Sequence, residues 1–392
     1  MGSAPVGNRP PPRRLLQRVA VLSTVGQSRG LPKAHNQDSF LVEQLALSGG
    51  PGSSRSAPAA TLVGVFDGHG QNGHKVAGLV ASAVQEHISL ALHQAASMSS
   101  ASYSDEDACV PLVDRGLWWD TDPASTCSNL SSAAALATED LVLTPTSAQS
   151  GLEQTFSRVA ESVAAASSSL TYQSGSTAVL CLILQDSVVA AWAGDSRAVV
   201  GKRAEGEWYA TQLTQDHKPN RLSEMARIVA AGGRVSRPHP AGPFRVCLPG
   251  YGERTALSVA RAFGDFELAR IGIVPTPEFA VFTRSAAAAS SAAGPTAAAA
   301  SNNTVPFGRA PPASCSSARA CAPATETAQE ILLVASDGLW EVVGNEEAIE
   351  LAAAAGSPTA GAAQLAELAK CRWAEHSGSR HQDDITVAVV YL

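Results

Sequence analysis

The hydrophobic pattern of this chain switches between short apolar runs and longer stretches with helical spacing. Runs of strand length fall at 17–25, 38–44, 60–66, 176–184, 187–193, 197–202 and 207–213. Others lie near 255–260, 278–283, 330–336 and 384–391. The runs 176–184 and 187–193, joined by Gln185-Asp186, predict a hairpin. Four segments instead repeat apolar residues at i, i+3 and i+4. In 73–94 these are Val76, Leu79, Val80, Ala83, Val84 and Ile88, and in 151–166 they are Leu152, Phe156, Val159 and Val163. A third helix, 221–231, is expected to stop at Gly232-Gly233 on a left-handed cap. A fourth, about 359–376, carries Leu365, Leu368 and Trp373. Strands in runs, with helices interspersed, predict an α+β fold: a β-sandwich of two antiparallel sheets flanked by helices.

Three segments fall outside this pattern. Residues 1–16 read as a Pro/Arg tail. Residues 97–150, with Pro111, Pro123 and Pro145, and the Ala/Ser/Pro-rich residues 285–328 read as low-complexity insertions. Without them about 280 residues remain, a size that one domain spanning 17–392 accommodates.

Composition narrows the partners. A net charge of −7 argues against nucleic acid, whose phosphates reward clustered Lys and Arg. No apolar stretch reaches the roughly 18 residues of a membrane helix, so no stable membrane insertion is expected. The N-terminal MGSAPVGNRPPPRR has no apolar core of a secretory signal, and Val6 stands where a myristoylation motif needs Ser or Thr. Cysteines 109, 127, 181, 247, 315, 321 and 371 are scattered and unpaired at short spacing. They predict free thiols in a reducing compartment, cytoplasmic or nuclear.

The candidate chemistry lies at strand ends. TLVGVF runs into Asp67 and ILLVAS into Asp337, while Asp38 opens SFLVEQL and Asp383-Asp384 opens ITVAVVYL. Strands that end on a carboxylate, alternating with antiparallel strands that begin on one, bring all four to one edge. Packed like charges stay ionised only with cations among them. An oxygen-only donor set points to Mg²⁺ or Mn²⁺ rather than zinc, and so to a metal-dependent hydrolase. In Val65-Phe66-Asp67-Gly68-His69-Gly70 the carboxylate can bridge two cations and Gly68 leaves its carbonyl oxygen unobstructed. His69, one residue on, titrates near neutrality. Alone, Asp-Gly is far more often a turn, and Gly194-Asp195 alone reads as a hairpin turn.

Together these blocks resemble the metal-dependent serine/threonine protein phosphatases of type 2C. The matching blocks run in order: HNQDSF (35–40), VFDGHG (65–70), GSTAVLCLI (175–183), AGDSRAVV (193–200) and LTQDHKP (213–219). EMARIVAAGGRV (224–235), LSVARAFGD (257–265), LLVASDGLWEVV (332–343) and QDDITVAVV (382–390) follow. The resemblance implies helices on both outer faces of the sandwich and two Mg²⁺ or Mn²⁺ ions at one end. By motif, Asp67 would bridge the ions, the Gly68 carbonyl would hold one, and Asp337 and Asp383 the other. Asp38 would orient the attacking water, His69 would protonate the leaving oxygen, and Lys33 would grip the substrate phosphate. Asp195, with Asp337 and Glu341, could form a weaker third metal site. The implied reaction is direct attack by a water bridging the ions on phosphoserine or phosphothreonine of protein substrates, by a monomer.

The chain departs from the family pattern in three places. Gln37 stands where a Glu is frequent, Lys33 where an Arg is, and Glu341 where an Asp is. A lysine offers a point charge in place of a fork. The alternative function is an inactive relative that binds partners through the same fold, which loss of Asp67, Asp337 or Asp383 would favour. Cys109 and Arg115 have the spacing of a cysteine phosphatase, but the intervening VPLVD lacks the glycines of a phosphate cradle. His217 and Lys218 read as turn or capping residues before Pro219.

Overall fold

The computed structural model describes residues 18–46, 60–101, 143–240, 242–250, 256–284, 329–377 and 380–392. The chain starts with β1 (Val19–Thr24), the short β2 (Gln27–Ser28) and β3 (Leu31–Pro32), then β4 (Asp38–Leu45) and β5 (Ala60–Gly70). Helices α1 (Gly73–Ala101), α2 (Pro145–Ala165) and α3 (Ser168–Thr171) follow. Next come β6 (Ser174–Ser176), β7 (Ala178–Ile183), β8 (Ser187–Ala193), β9 (Arg197–Ala204) and β10 (Glu207–Gln212). Helix α4 (Leu222–Ala230) and the strands β11 (Arg234–Ser236), β12 (Arg245–Cys247) and β13 (Ala256–Leu257) form a small lobe. The chain returns through β14 (Phe263–Gly264), α5 (Phe266–Ala269) and β15 (Glu278–Thr283). It closes with β16 (Glu330–Ala335), α6 (Asp337–Trp340), α7 (Asn345–Ala354), α8 (Pro358–Ser377), β17 (His381–Gln382) and β18 (Ile385–Tyr391).

Among the described residues, one sheet has the order β1-β18-β16-β9-β10 and the other β14-β6-β5-β7-β8-β15, with β4 added to β5. Their ladders are antiparallel. Val63 and Val65 of β5, with Val179 and Cys181 of β7, meet Ala198, Leu332, Val334 and Ala388 between the sheets. The opposite face of β5, Leu62 and Phe66, packs under α1 and α2. Ile331, Leu333, Val387 and Val389 pack under α7 and α8. Layers are therefore helix, sheet, sheet, helix. A strand covered on both faces has no polar side, which is why TLVGVF reads as an unbroken apolar run. Burying each such Val, Leu or Phe contributes roughly 1.5–3 kcal/mol.

Three expectations change. The first insertion is shorter than 97–150, since α1 runs on to Ala101 and α2 begins at Pro145. Pro145 is not a mark of irregular chain: it sits at the first helical position, where its missing N–H costs nothing. Thr144 caps that helix, its Oγ1 accepting the Ser147 N–H at 3.1 Å. The run 176–184 splits, because β6 turns to pair with β14 while β7 pairs with β8. Of 255–260 only Ala256–Leu257 is strand, and Val259 and Ala260 pack irregularly into the lobe's own core with Ile228 and Val246. The tail 1–16, the insertion 285–328 and the pair Cys109 and Arg115 lie outside the described residues.

Candidate metal centre

Register brings the carboxylates together. Asp38, the first residue of β4, lies directly opposite Asp67 on β5. On the other sheet β16 pairs with β18 through Ala335 and Val387, so Asp337 emerges beside the Asp383-Asp384 turn. Ser336 stitches the sheets: its Oγ donates to Asp38 Oδ2 at 2.7 Å and accepts the Thr386 N–H at 3.1 Å. Asp195 lies in the β8–β9 turn, and carboxylate oxygens of Asp67, Asp195 and Asp337 lie within 4.8 Å of one another.

The electrostatics are those of an undercompensated cluster. Burial first, then Asp384 and Asp383, push the Asp38 carboxyl up to about 7, although Thr386 and Ser336 hydrogen bonds oppose it. Asp67 is held well above the usual carboxylate range by burial, then by Asp337, Asp38, Asp383 and Asp195. Asp337 is raised in the same way by burial, Asp195 and Asp383, against Lys218. Glu341 is raised by burial and by Asp195 and Asp383, against Lys218. One cluster therefore includes the carboxyls expected to hold metal. Neutral pH demands positive charge among them, and the donors are all hard oxygens, a set that fits a divalent cation.

Gly68 lies where backbone must approach backbone. A Cβ there would meet the Gly73 carbonyl oxygen at 2.3 Å and that of Gln37 at 2.6 Å. The Gly68 N–H donates to the Gln37 carbonyl at 3.1 Å. Gln37 is a latch: its Nε2 donates to the Gly70 carbonyl at 2.7 Å and its N–H to Asp384 Oδ2 at 2.9 Å. Asp384 is structural, buried, and also takes the Gly26 N–H at 2.6 Å.

Lys33 Nζ lies 2.5 Å from Asp383 Oδ1 and 3.2 Å from Asp384 Oδ2. Burial alone would lower its pKa, but those two carboxylates carry it up to about 12. It is a fixed positive charge at the rim. Lys218 is not the turn residue expected: its Nζ donates to Asp195 Oδ2 and faces Asp337 and Glu341. His217 is a core residue, its Nδ1 accepting the Gly194 N–H at 3.1 Å and its ring stacked on Trp192. His69 stands beside the cluster with Nε2 2.5 Å from Asp265 Oδ2. Burial opposes its charge, yet Asp265 raises its pKa above the ordinary value. Sequence reasoning missed Lys218 and Asp265. Both sit in blocks quoted for the resemblance, but Gly264-Asp265 alone reads as a turn.

The sequence model of the family described as protein phosphatase 2C matches residues 123–381. The chain belongs to this family. A rice protein, "Probable protein phosphatase 2C 64", is 30% identical over 335 residues, covering 84% of this chain and 58% of its own length. An Arabidopsis protein, "Probable protein phosphatase 2C 61", is 32% identical over 224 residues, or 56% of this chain and 55% of its own length. The chain thus spans little more than half of these relatives. The solved serine-threonine phosphatase 2C of Toxoplasma gondii has the same fold, with a TM-score of 0.57 at 20% identity over 95% of this chain and 94% of the other. Phosphatase 2C proteins are metal-dependent, in accord with the acidic cluster.

Proposed function

We propose that this protein hydrolyses phosphoserine and phosphothreonine on protein substrates with the help of two Mg²⁺ or Mn²⁺ ions. The observation that carries the reading is the facing pair Asp38 and Asp67, joined by Asp195 and Asp337 in one cluster, in which burial and neighbouring carboxylates push Asp38, Asp67 and Asp337 upward. Asp67, the Gly68 carbonyl, Asp337 and Asp383 would hold the ions. Once bound, the ions supply a water that is nucleophilic at neutral pH and positive charge against the phosphoryl oxygens.

The chain's own groups do the rest. Asp38, with one oxygen held by Ser336, can accept a hydrogen bond from the attacking water through the other and so aim it. Lys33, now paired with Asp383 and Asp384, would meet a phosphate oxygen as a point charge. His69 donates a proton to the departing serine or threonine oxygen, whose alkoxide is too basic to leave alone; such catalysis contributes typically about 10²–10⁴-fold. Asp195 and Glu341 line a third cation position, in which Lys218 already supplies positive charge.

The test is phosphate release from a phosphothreonine peptide. We expect turnover with Mn²⁺ or Mg²⁺, none in EDTA, and a loss of roughly three orders of magnitude in an Asp67→Asn variant. A wild-type protein that binds Mn²⁺ by calorimetry yet releases no phosphate would instead be an inactive relative that binds partners through this fold.

A further inference from the structure

His69 has a partner that the reading above leaves unused. Strand β6 pairs with β5 on one side and β14 on the other, so Gly175 stands opposite both His69 and Gly264. Asp265 follows Gly264, and its nearly buried carboxylate Oδ2 lies 2.5 Å from His69 Nε2. The contact crosses the face of Gly175. A Cβ at that position would meet Asp265 Oδ2 at 2.2 Å and His69 Nε2 at 2.6 Å. Any side chain at 175 would therefore wedge the imidazole and the carboxylate apart.

The backbone of Asp265 is also unusual. It is left-handed, with φ 49° and ψ 41°, directly after Gly264 at φ 83°. A non-glycine residue in this region is strained unless the surroundings impose it. Here they do: the Asp265 N–H donates to the Ser174 carbonyl at 3.1 Å, and its own carbonyl accepts the Leu268 N–H at 2.7 Å. The missing side chain at 175, the left-handed backbone at 265 and the buried carboxylate all converge on one ring nitrogen.

An ionised carboxylate only accepts, so the contact requires the proton on Nε2. We infer that Asp265 is the positioning residue for His69, holding Nε2–H so that Nδ1–H is the bond presented to the leaving oxygen. This rests on the phosphatase reading. In the step, the Nδ1 proton passes to the serine or threonine oxygen as its bond to phosphorus breaks, that bond's electron pair staying on the oxygen. The ring is left as neutral imidazole with its remaining proton on Nε2, still held by Asp265, and Nδ1 is reprotonated from solvent.

The experiment compares two substrates on the Mn²⁺-loaded full-length protein: a phosphothreonine peptide and an aryl phosphate whose phenolate leaves without a proton. Asp265→Asn should lower kcat on the peptide by about 10²-fold or more, and lower it far less on the aryl phosphate. Gly175→Ala, which separates the same two groups through different atoms, should reproduce that selectivity. ¹⁵N NMR of the wild type should place the His69 proton on Nε2 when the ring is neutral, a readout independent of how the variants fold. Equal loss on both substrates, no loss on the peptide, or a neutral ring protonated on Nδ1 would overturn the role of Asp265 alone. Wild-type protein inert toward both substrates would overturn the phosphatase reading with it.

Discussion

Two places in this molecule crowd acidic side chains, and they solve the problem in opposite ways. At the sandwich edge, Asp67, Asp195 and Asp337 place oxygens within 4.8 Å of one another; where the small lobe meets β15, His217, Glu224 and Glu278 do the same. The lobe carries its own counter-charge. Arg261 reaches Glu224 at 2.7 Å and Glu278 at 3.0 Å, Arg227 reaches Glu224 at 2.8 Å, and Arg221 reaches Glu278 at 2.8 Å. Burial would raise both glutamates, but the guanidinium hydrogen bonds win and both pKa values fall. At the sandwich edge Lys33 pairs with Asp383 and Lys218 with Asp195, yet Asp38, Asp67, Asp337 and Glu341 all shift upward. The number of carboxylates does not distinguish a metal centre from an ion-pair network. What differs between these two is the supply of counter-charge: arginines pair with both glutamates of one, and lysines reach the aspartates of the other.

The contrast is sharpest under neutralising substitutions. Asp67→Asn should cut phosphate release by roughly three orders of magnitude, yet leave the metal-free protein as stable as before or more so, since it removes one of several repelling charges. Glu224→Gln should do the reverse. It strands Arg261 and Arg227 without their buried partner and should cost about 3–5 kcal/mol of stability, read by calorimetry in EDTA. If both variants lost the same stability, the distinction between the two clusters would fail.

Acid separates the regions more gently. The raised carboxyls at the sandwich edge bind protons more tightly folded than unfolded. Their contribution in metal-free protein is complete below the unfolded values near 4 and is lost as pH rises through the folded ones, about 7 for Asp38. The gain in melting temperature from saturating Mn²⁺ over EDTA should therefore be larger at pH 8 than at pH 5.5. A gain independent of pH would contradict the undercompensated cluster. His217 runs the other way. Burial, then Arg261, lowers it to about 4, so its contribution holds above the unfolded value of 6.5 and fades as pH falls through 4. Hydrogen exchange in the lobe should rise over that interval by an opening free energy of roughly 2 kcal/mol. His217→Asn should flatten the response.

Much of this was legible in the chain because the relevant signals are local. Unbroken apolar runs at 60–66 and 330–336 report strands covered on both faces, and helical stripes report the outer layers. A carboxylate at the end of each run was visible as such, and Asp38, Asp67, Asp337 and Asp383 do share one edge. Local signals failed where one residue serves two purposes. Pro145 breaks a helix in mid-course but starts one at its first position, and only the Thr144 cap decides between them.

The sequence by itself determined the layers and the supply of oxygen ligands, since burial period and strand ends are written in neighbouring residues. Tertiary structure alone decided that Asp38 faces Asp67, that Lys218 reaches Asp195, and that Asp265 holds His69 across a glycine. Coulomb forces and hydrogen bonds act over distances in space, and no periodicity along the chain records which distant side chain will arrive.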